Sequence, residues 1–121
     1  MEIEKIRNVV YTDDFNEFYN TLTERVAEKL DEGIFYLETI YVLSTKFVKK
    51  LEGTDENLYE LRTSVGYNEY RTILFSADHD NIIQAKEIIL LNGFLKKDTK
   101  SYSKEIKKAT NILNNLTQWK L

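Results

Sequence analysis

Leu58-Tyr59-Glu60-Leu61-Arg62-Thr63-Ser64-Val65 is the stretch on which the reading of this chain turns. Upstream of it the apolar residues recur at intervals of three and four; within it they alternate. Alternation places successive side chains on opposite faces of an extended strand, so Tyr59, Leu61 and Thr63 share one face and Glu60 and Arg62 the other. Gly66-Tyr67-Asn68-Glu69 follows with turn chemistry, and Tyr70 to Ala77 resumes as an aromatic and β-branched run. So short a connection predicts an antiparallel pair, which sets Arg71 at the start of the returning strand close to Arg62. A third extended run, Gln84–Leu95 with Ile88-Ile89-Leu90-Leu91 inside it, lies beyond a second turn-like cluster, Asp78-His79-Asp80-Asn81.

Working outward, Val9-Val10-Tyr11 reads as a short first strand. Asp13 or Asp14 is placed to cap a helix whose apolar positions run through Phe15, Phe18, Leu22, Val26 and Leu30. Gly33 either ends it or is bridged. A second helical stretch runs through Leu37, Ile40, Tyr41, Leu43 and Phe47 to Leu51, stopping near Gly53. The last helix is expected from about Ser103, with an apolar stripe from Ile106 to Leu116 and Trp119 as a docking anchor. The order is β-α-α-β-β-β-α, an α+β fold with helices packed on a twisted antiparallel sheet. With 121 residues, one domain spanning 1–121 is the expectation.

Composition narrows the function classes. The chain is 42% apolar and 31% charged, enough for a core and an ordinary charged surface. No window approaches the roughly 18 apolar residues of a membrane span, and the first residues lack a signal-peptide pattern, so a cytosolic address is expected. Absence of cysteine excludes disulfides, thiolate nucleophiles and zinc–thiolate sites. His79 has no second histidine at ligand spacing, no glycine-rich phosphate loop exists, and no metal site is expected. The net charge of −3 is uneven: residues 1–61 carry 7 Lys and Arg against 14 Asp and Glu, whereas residues 86–121 carry 8 against 3. From charge alone two readings stay open: two solvated helical faces of opposite sign, or one end that repels nucleic acid and another that attracts it.

The basic residues are expected to fall near one another. Arg62 and Arg71 fall on neighbouring strands, Lys96 and Lys97 leave the third strand, and Lys100 and Tyr102 precede the final helix. Such a face suits an RNA phosphate with a base stacked on the tyrosine ring. The residues alone leave a structural alternative open, in which Arg62 pairs with Glu60, Arg71 snorkels and the lysines decorate a loop.

The order of these pieces resembles a known family. Tyr-Glu-Leu-Arg at 59–62, a glycine turn, Tyr70-Arg71 before an apolar strand, Gly93-Phe94-Leu95-Lys96-Lys97 and a basic final helix resemble the HigB-like toxins of the RelE superfamily, which include phage-derived Gp49-like proteins. Phe47-Val48-Lys49-Lys50-Leu51-Glu52-Gly53 extends the likeness, which covers about residues 15–116. The resemblance implies the toxin of a type II toxin–antitoxin pair: an endoribonuclease that cuts mRNA on the ribosome without metal, by attack of the ribose 2′-OH on the phosphodiester. It also implies a cognate antitoxin, often a HigA-like helix-turn-helix protein.

By that likeness Arg71 and Arg62 bind the scissile phosphate, and Lys96 or Lys97 holds the phosphate or protonates the leaving oxygen. Lys100 and Tyr102 contact RNA. Glu60 is either the general base or an ion-pair partner that orients Arg62. The competing expectation is a non-catalytic binding module of phage or mobile-element origin on the same fold.

Overall fold

The structure is a computed structural model that describes residues 3–54 and 56–119, the side chains of 117–119 excepted. The expected docking role of Trp119 therefore lies outside the described side chains. Elements follow in the order β1 (Asn8–Tyr11), α1 (Asp13–Asn20), α2 (Glu24–Thr39), β2 (Val48–Lys50), β3 (Leu58–Val65), β4 (Asn68–Ser76), β5 (Glu87–Leu95) and α3 (Thr99–Trp119). The α+β class stands, with one strand more than the sequence pattern suggested. The five strands lie in the order β1-β5-β4-β3-β2. Each neighbouring pair among the last four is antiparallel, but β1 runs parallel to β5, so the sheet is mixed rather than antiparallel throughout.

The helix boundaries differ from the periodic reading for identifiable reasons. The first helix starts one or two residues earlier than expected, because Thr12 rather than Asp13 or Asp14 is the cap, its hydroxyl accepting from Phe15 N–H. It breaks at Thr21-Leu22-Thr23, where Thr23 caps α2, and Gly33 is bridged within that second helix. α2 stops at Thr39 instead of running to Leu51 because its terminal carbonyls are captured from outside. The Arg7 side chain, 2% exposed, donates to the carbonyls of Leu37, Ile40 and Tyr41. A turn on Ser44, whose carbonyl accepts from Phe47 and Val48 N–H, then delivers Val48 to the sheet edge as β2. α3 begins at Thr99, not Ser103, with the Asp98 carboxylate accepting from Ser101 N–H.

Both faces of the sheet are covered. On one, α1 and α2 enclose Phe15, Leu30, Ile34, Leu37, Leu61, Leu74 and Leu90; on the other, α3 packs Ala109 and Leu113 against Leu58, Ile73 and Leu91. Burying apolar area on both faces drives closure into three layers, helices–sheet–helix. Gly93 lets the ring of Phe18 in α1 approach β5, since a Cβ there would lie 2.3 Å from that ring. Gly66 turns the β3–β4 hairpin at φ +61°, a backbone state that L side chains resist.

One irregularity in β5 governs the site. The register passes from Leu74 opposite Leu90 to Ile73 opposite Asn92, so Leu91 is an extra residue, a β-bulge. Its carbonyl accepts from the Thr12 hydroxyl at 2.5 Å. The bulge reverses the alternation: Ile88 and Leu90 face α2, whereas Leu91, Asn92 and Phe94 face α3. Lys96, two residues beyond Phe94, thereby reaches the same face as Glu60.

Candidate functional site

Register places the charged side chains in rows across the α3 face. Lys49, Glu60, Ile73 and Asn92 form one row; Arg62, Arg71 and Phe94 form the next. Arg62 and Arg71 are direct cross-strand partners, and like charges so placed repel unless an anion sits between them. Glu60 is that anion. Its Oε1 accepts from Arg62 Nη2 at 3.1 Å and Nε at 3.3 Å, and its Oε2 lies 3.4 Å from Arg71 Nε. The last is a close charge contact without hydrogen-bond alignment, because Arg71 Nε has no aligned acceptor. Arg71 Nη1 instead donates to Tyr70 O at 3.1 Å and to Glu69 Oε1 at 3.3 Å.

Tyr102, in the first turn of α3, closes the cluster. Its hydroxyl donates to Glu60 Oε2 at 2.5 Å, and its ring meets Phe94 edge-on at 5.7 Å. Lys96 Nζ stands 5.6 Å from the centre of the same ring, a cation–π contact. Burial, then the Glu60 hydrogen bond and charge, push the Tyr102 phenol far above its ordinary value, while Arg71 and Arg62 pull the other way. It is therefore held as a neutral donor. Below the cluster Asn92 Nδ2 donates to Glu105 Oε2 and to its carbonyl, tying β5 to α3.

Five of the expected residues thus meet: Glu60, Arg62, Arg71, Lys96 and Tyr102. Lys97 and Lys100 are exposed and make no ion pair among the described residues. The Arg62–Glu60 pair foreseen as an alternative is present. Arg71 does not snorkel: its side chain is 6% exposed, against 31% for Arg62 and 5% for Glu60. Sequence reasoning missed Glu69, treated as a turn residue, although its spacing of two from Arg71 on a strand signals a shared face. Lys49 was quoted only within the family likeness; it stands opposite Glu60 and is exposed. His79 belongs to a polar turn, its Nδ1 accepting from Asn81 N–H, and no cluster of metal-ligating groups occurs among the described residues.

The arrangement is a buried carboxylate shared by two guanidiniums and a phenol, rimmed by accessible cations. Such a set can bind a tetrahedral anion and handle protons at hydroxyl oxygens. A family model described as phage-derived protein Gp49-like matches residues 17–114. The chain belongs to that family. No curated protein matches this Gp49-like chain. Among solved structures it is similar to a free-state double-arginine mutant of the E. coli toxin RelE, with 14% identity and a TM-score of 0.59. The match covers 85% of this chain and 97% of that one. At that identity the likeness concerns the fold, so the Gp49-like family and a RelE-like fold are joined in one chain. No described helix of the Gp49-like chain is long and apolar enough to cross a membrane.

Proposed function

We propose that this protein is the toxin of a type II toxin–antitoxin pair, its 121 residues acting as one domain that cleaves mRNA on the ribosome in the cytoplasm. The observation that carries the reading is the convergence of Glu60, Arg62, Arg71, Lys96 and Tyr102 on one sheet face of a RelE-like fold. The chemistry needs no metal: the ribose 2′-oxygen attacks the adjacent phosphorus, the 5′-oxygen bond breaks, and a cyclic phosphate and a 5′-OH remain. Arg62 and Arg71 stabilise the charge that builds on the phosphoryl oxygens. Glu60 takes the 2′-OH proton once Arg62 turns toward the phosphate, and Lys96 or Lys97 protonates the leaving oxygen. Lys100 and the Tyr102 ring contact flanking nucleotides. The partner is an antitoxin of the HigA-like helix-turn-helix type.

The binding-module reading has its own support, since the Glu60 and Arg71 side chains are 5% and 6% exposed and already pair in charge with one another. Induced expression in bacteria without the neighbouring gene separates the two. Growth arrest with new mRNA 5′ ends inside translated codons, absent in Arg71→Ala and Arg62→Ala, is expected. Normal growth at good soluble expression, with no new ends, overturns the ribonuclease and leaves the binding module.

A further inference from the structure

At the end of the β3–β4 hairpin, Glu69 holds a position that neither the motifs nor the family likeness assigns. It is cross-strand partner to Ser64, and its backbone carbonyl accepts from Lys96 N–H at 2.8 Å, which fixes the first residue past β5 beside it. Its Oε1 lies 3.3 Å from Arg71 Nη1. The Ser64 hydroxyl foremost, then Arg71 and Lys96, hold its carboxyl below the usual range. The carboxylate side chain is 43% exposed and the guanidinium side chain 6%, so Glu69 is the solvent-facing partner of a buried cation. A groove of about 390 Å³ runs between α2, at Lys29, Glu32 and Tyr36, and the end of β3, and reaches Arg62, Ser64 and Glu69; Arg71 and Lys96 lie outside its lining.

We propose that Ser64, Arg71 and Lys96 form an anion subsite that Glu69 fills from within the chain, and that a phosphate of the RNA displaces the Glu69 carboxylate on entering from the groove. This rests on the ribonuclease reading for the identity of the ligand. Carboxylate and phosphate offer the same acceptor chemistry to a guanidinium and a hydroxyl. A tethered carboxylate competes at an effective concentration of order millimolar, so weak single anions lose to it and a polyanion held at several points does not. The exchange needs only rotation of one half-exposed side chain.

The test titrates inorganic phosphate into wild type, Glu69→Gln, Glu69→Ala, Glu32→Gln and the double variant Glu69→Gln/Ser64→Ala. Backbone amide shifts at residues 64, 71 and 96 are the readout, and the amide spectrum reports folding of each variant. Removing the internal competitor should tighten phosphate binding about tenfold in both Glu69 variants. Glu32 borders the same groove and pairs with Lys29 at 3.7 Å, so Glu32→Gln controls for net charge; it should change affinity by less than about twofold. The added Ser64→Ala should undo most of the gain. Equal gains in the Glu32 and Glu69 variants, or no saturable shift at these amides in any variant, overturn the subsite. Growth arrest by wild type, read in parallel, separates the two claims. Phosphate binding without arrest leaves the subsite and removes the ribonuclease, whereas arrest without a gain in the Glu69 variants removes the subsite alone.

Discussion

Arg7→Met should destabilise this protein far more than its position before the first strand suggests. Arg7 spends every one of its five N–H donors on backbone carbonyls: Nε on Ile82 at 3.1 Å, Nη1 on Leu37 and Ile40 at 2.9 and 2.6 Å, and Nη2 on Tyr41 and Ile83 at 2.7 and 2.9 Å. One planar fork therefore joins the end of α2 to the loop before β5, with burial pulling the guanidinium's pKa down from its ordinary value. Methionine keeps the apolar stem and removes all five donors. The Leu37 and Ile82 bonds are buried, and each carbonyl stripped of its donor costs about 1–3 kcal/mol. The other three carbonyls are part-buried and regain water. Release of the buried charge offsets some of the loss. A net destabilisation of about 3 kcal/mol follows. Urea unfolding is the assay, and with a slope near 2 kcal/mol per molar the midpoint should fall by roughly 1.5 M. Arg7→Lys should recover less than about half, because three donors on a point charge cannot reach five acceptors spread over two segments. A midpoint within about 0.3 M of wild type for Arg7→Met, or full rescue by lysine, would refute the argument from fork geometry.

Gly93→Ala should cost about 1–3 kcal/mol, because its Cβ meets the Phe18 ring at 2.3 Å, and Phe18→Leu should relieve much of that penalty in a double-mutant thermal-melting cycle. Tyr102 should ionise above the ordinary tyrosine range when absorbance is followed at alkaline pH. Its folded-state pKa is raised, so its contribution to stability is complete below the ordinary tyrosine range near pH ~10 and is lost as pH rises through the folded value; Tyr102→Phe should flatten that alkaline limb. Asp78 has the opposite sign. The Glu87 and Lys86 N–H groups hold its carboxylate below the usual range, so its contribution is present above the unfolded carboxylate pKa and disappears as pH falls through the folded one. Asp78→Asn should therefore flatten the acid limb of a thermal-stability profile while leaving the alkaline limb unchanged.

Period alone was enough to read β3, because one face of that strand is buried against α2 and burial enforces strict alternation; it set Glu60 and Arg62 together as expected. The short glycine turn likewise settled the β3–β4 pairing and brought Arg71 opposite Arg62. Pattern failed where a partner distant in sequence intervened. The stretch from Ile40 to Leu51 keeps a helical spacing, yet Arg7, more than thirty residues upstream, takes the carbonyls on which a longer helix would build. Nothing local to α2 announces this. The Leu91 bulge is held by the Thr12 hydroxyl, again from outside the strand, and only that slip of one residue turns Phe94 and Lys96 toward Glu60. Unbroken alternation from Ile88 would have sent both to the α2 face. Residue types and local period therefore determined which groups are present and which strand carries them. Their convergence was decided by contacts between segments far apart in the chain, because a face is a property of packing and a single displaced residue reverses it.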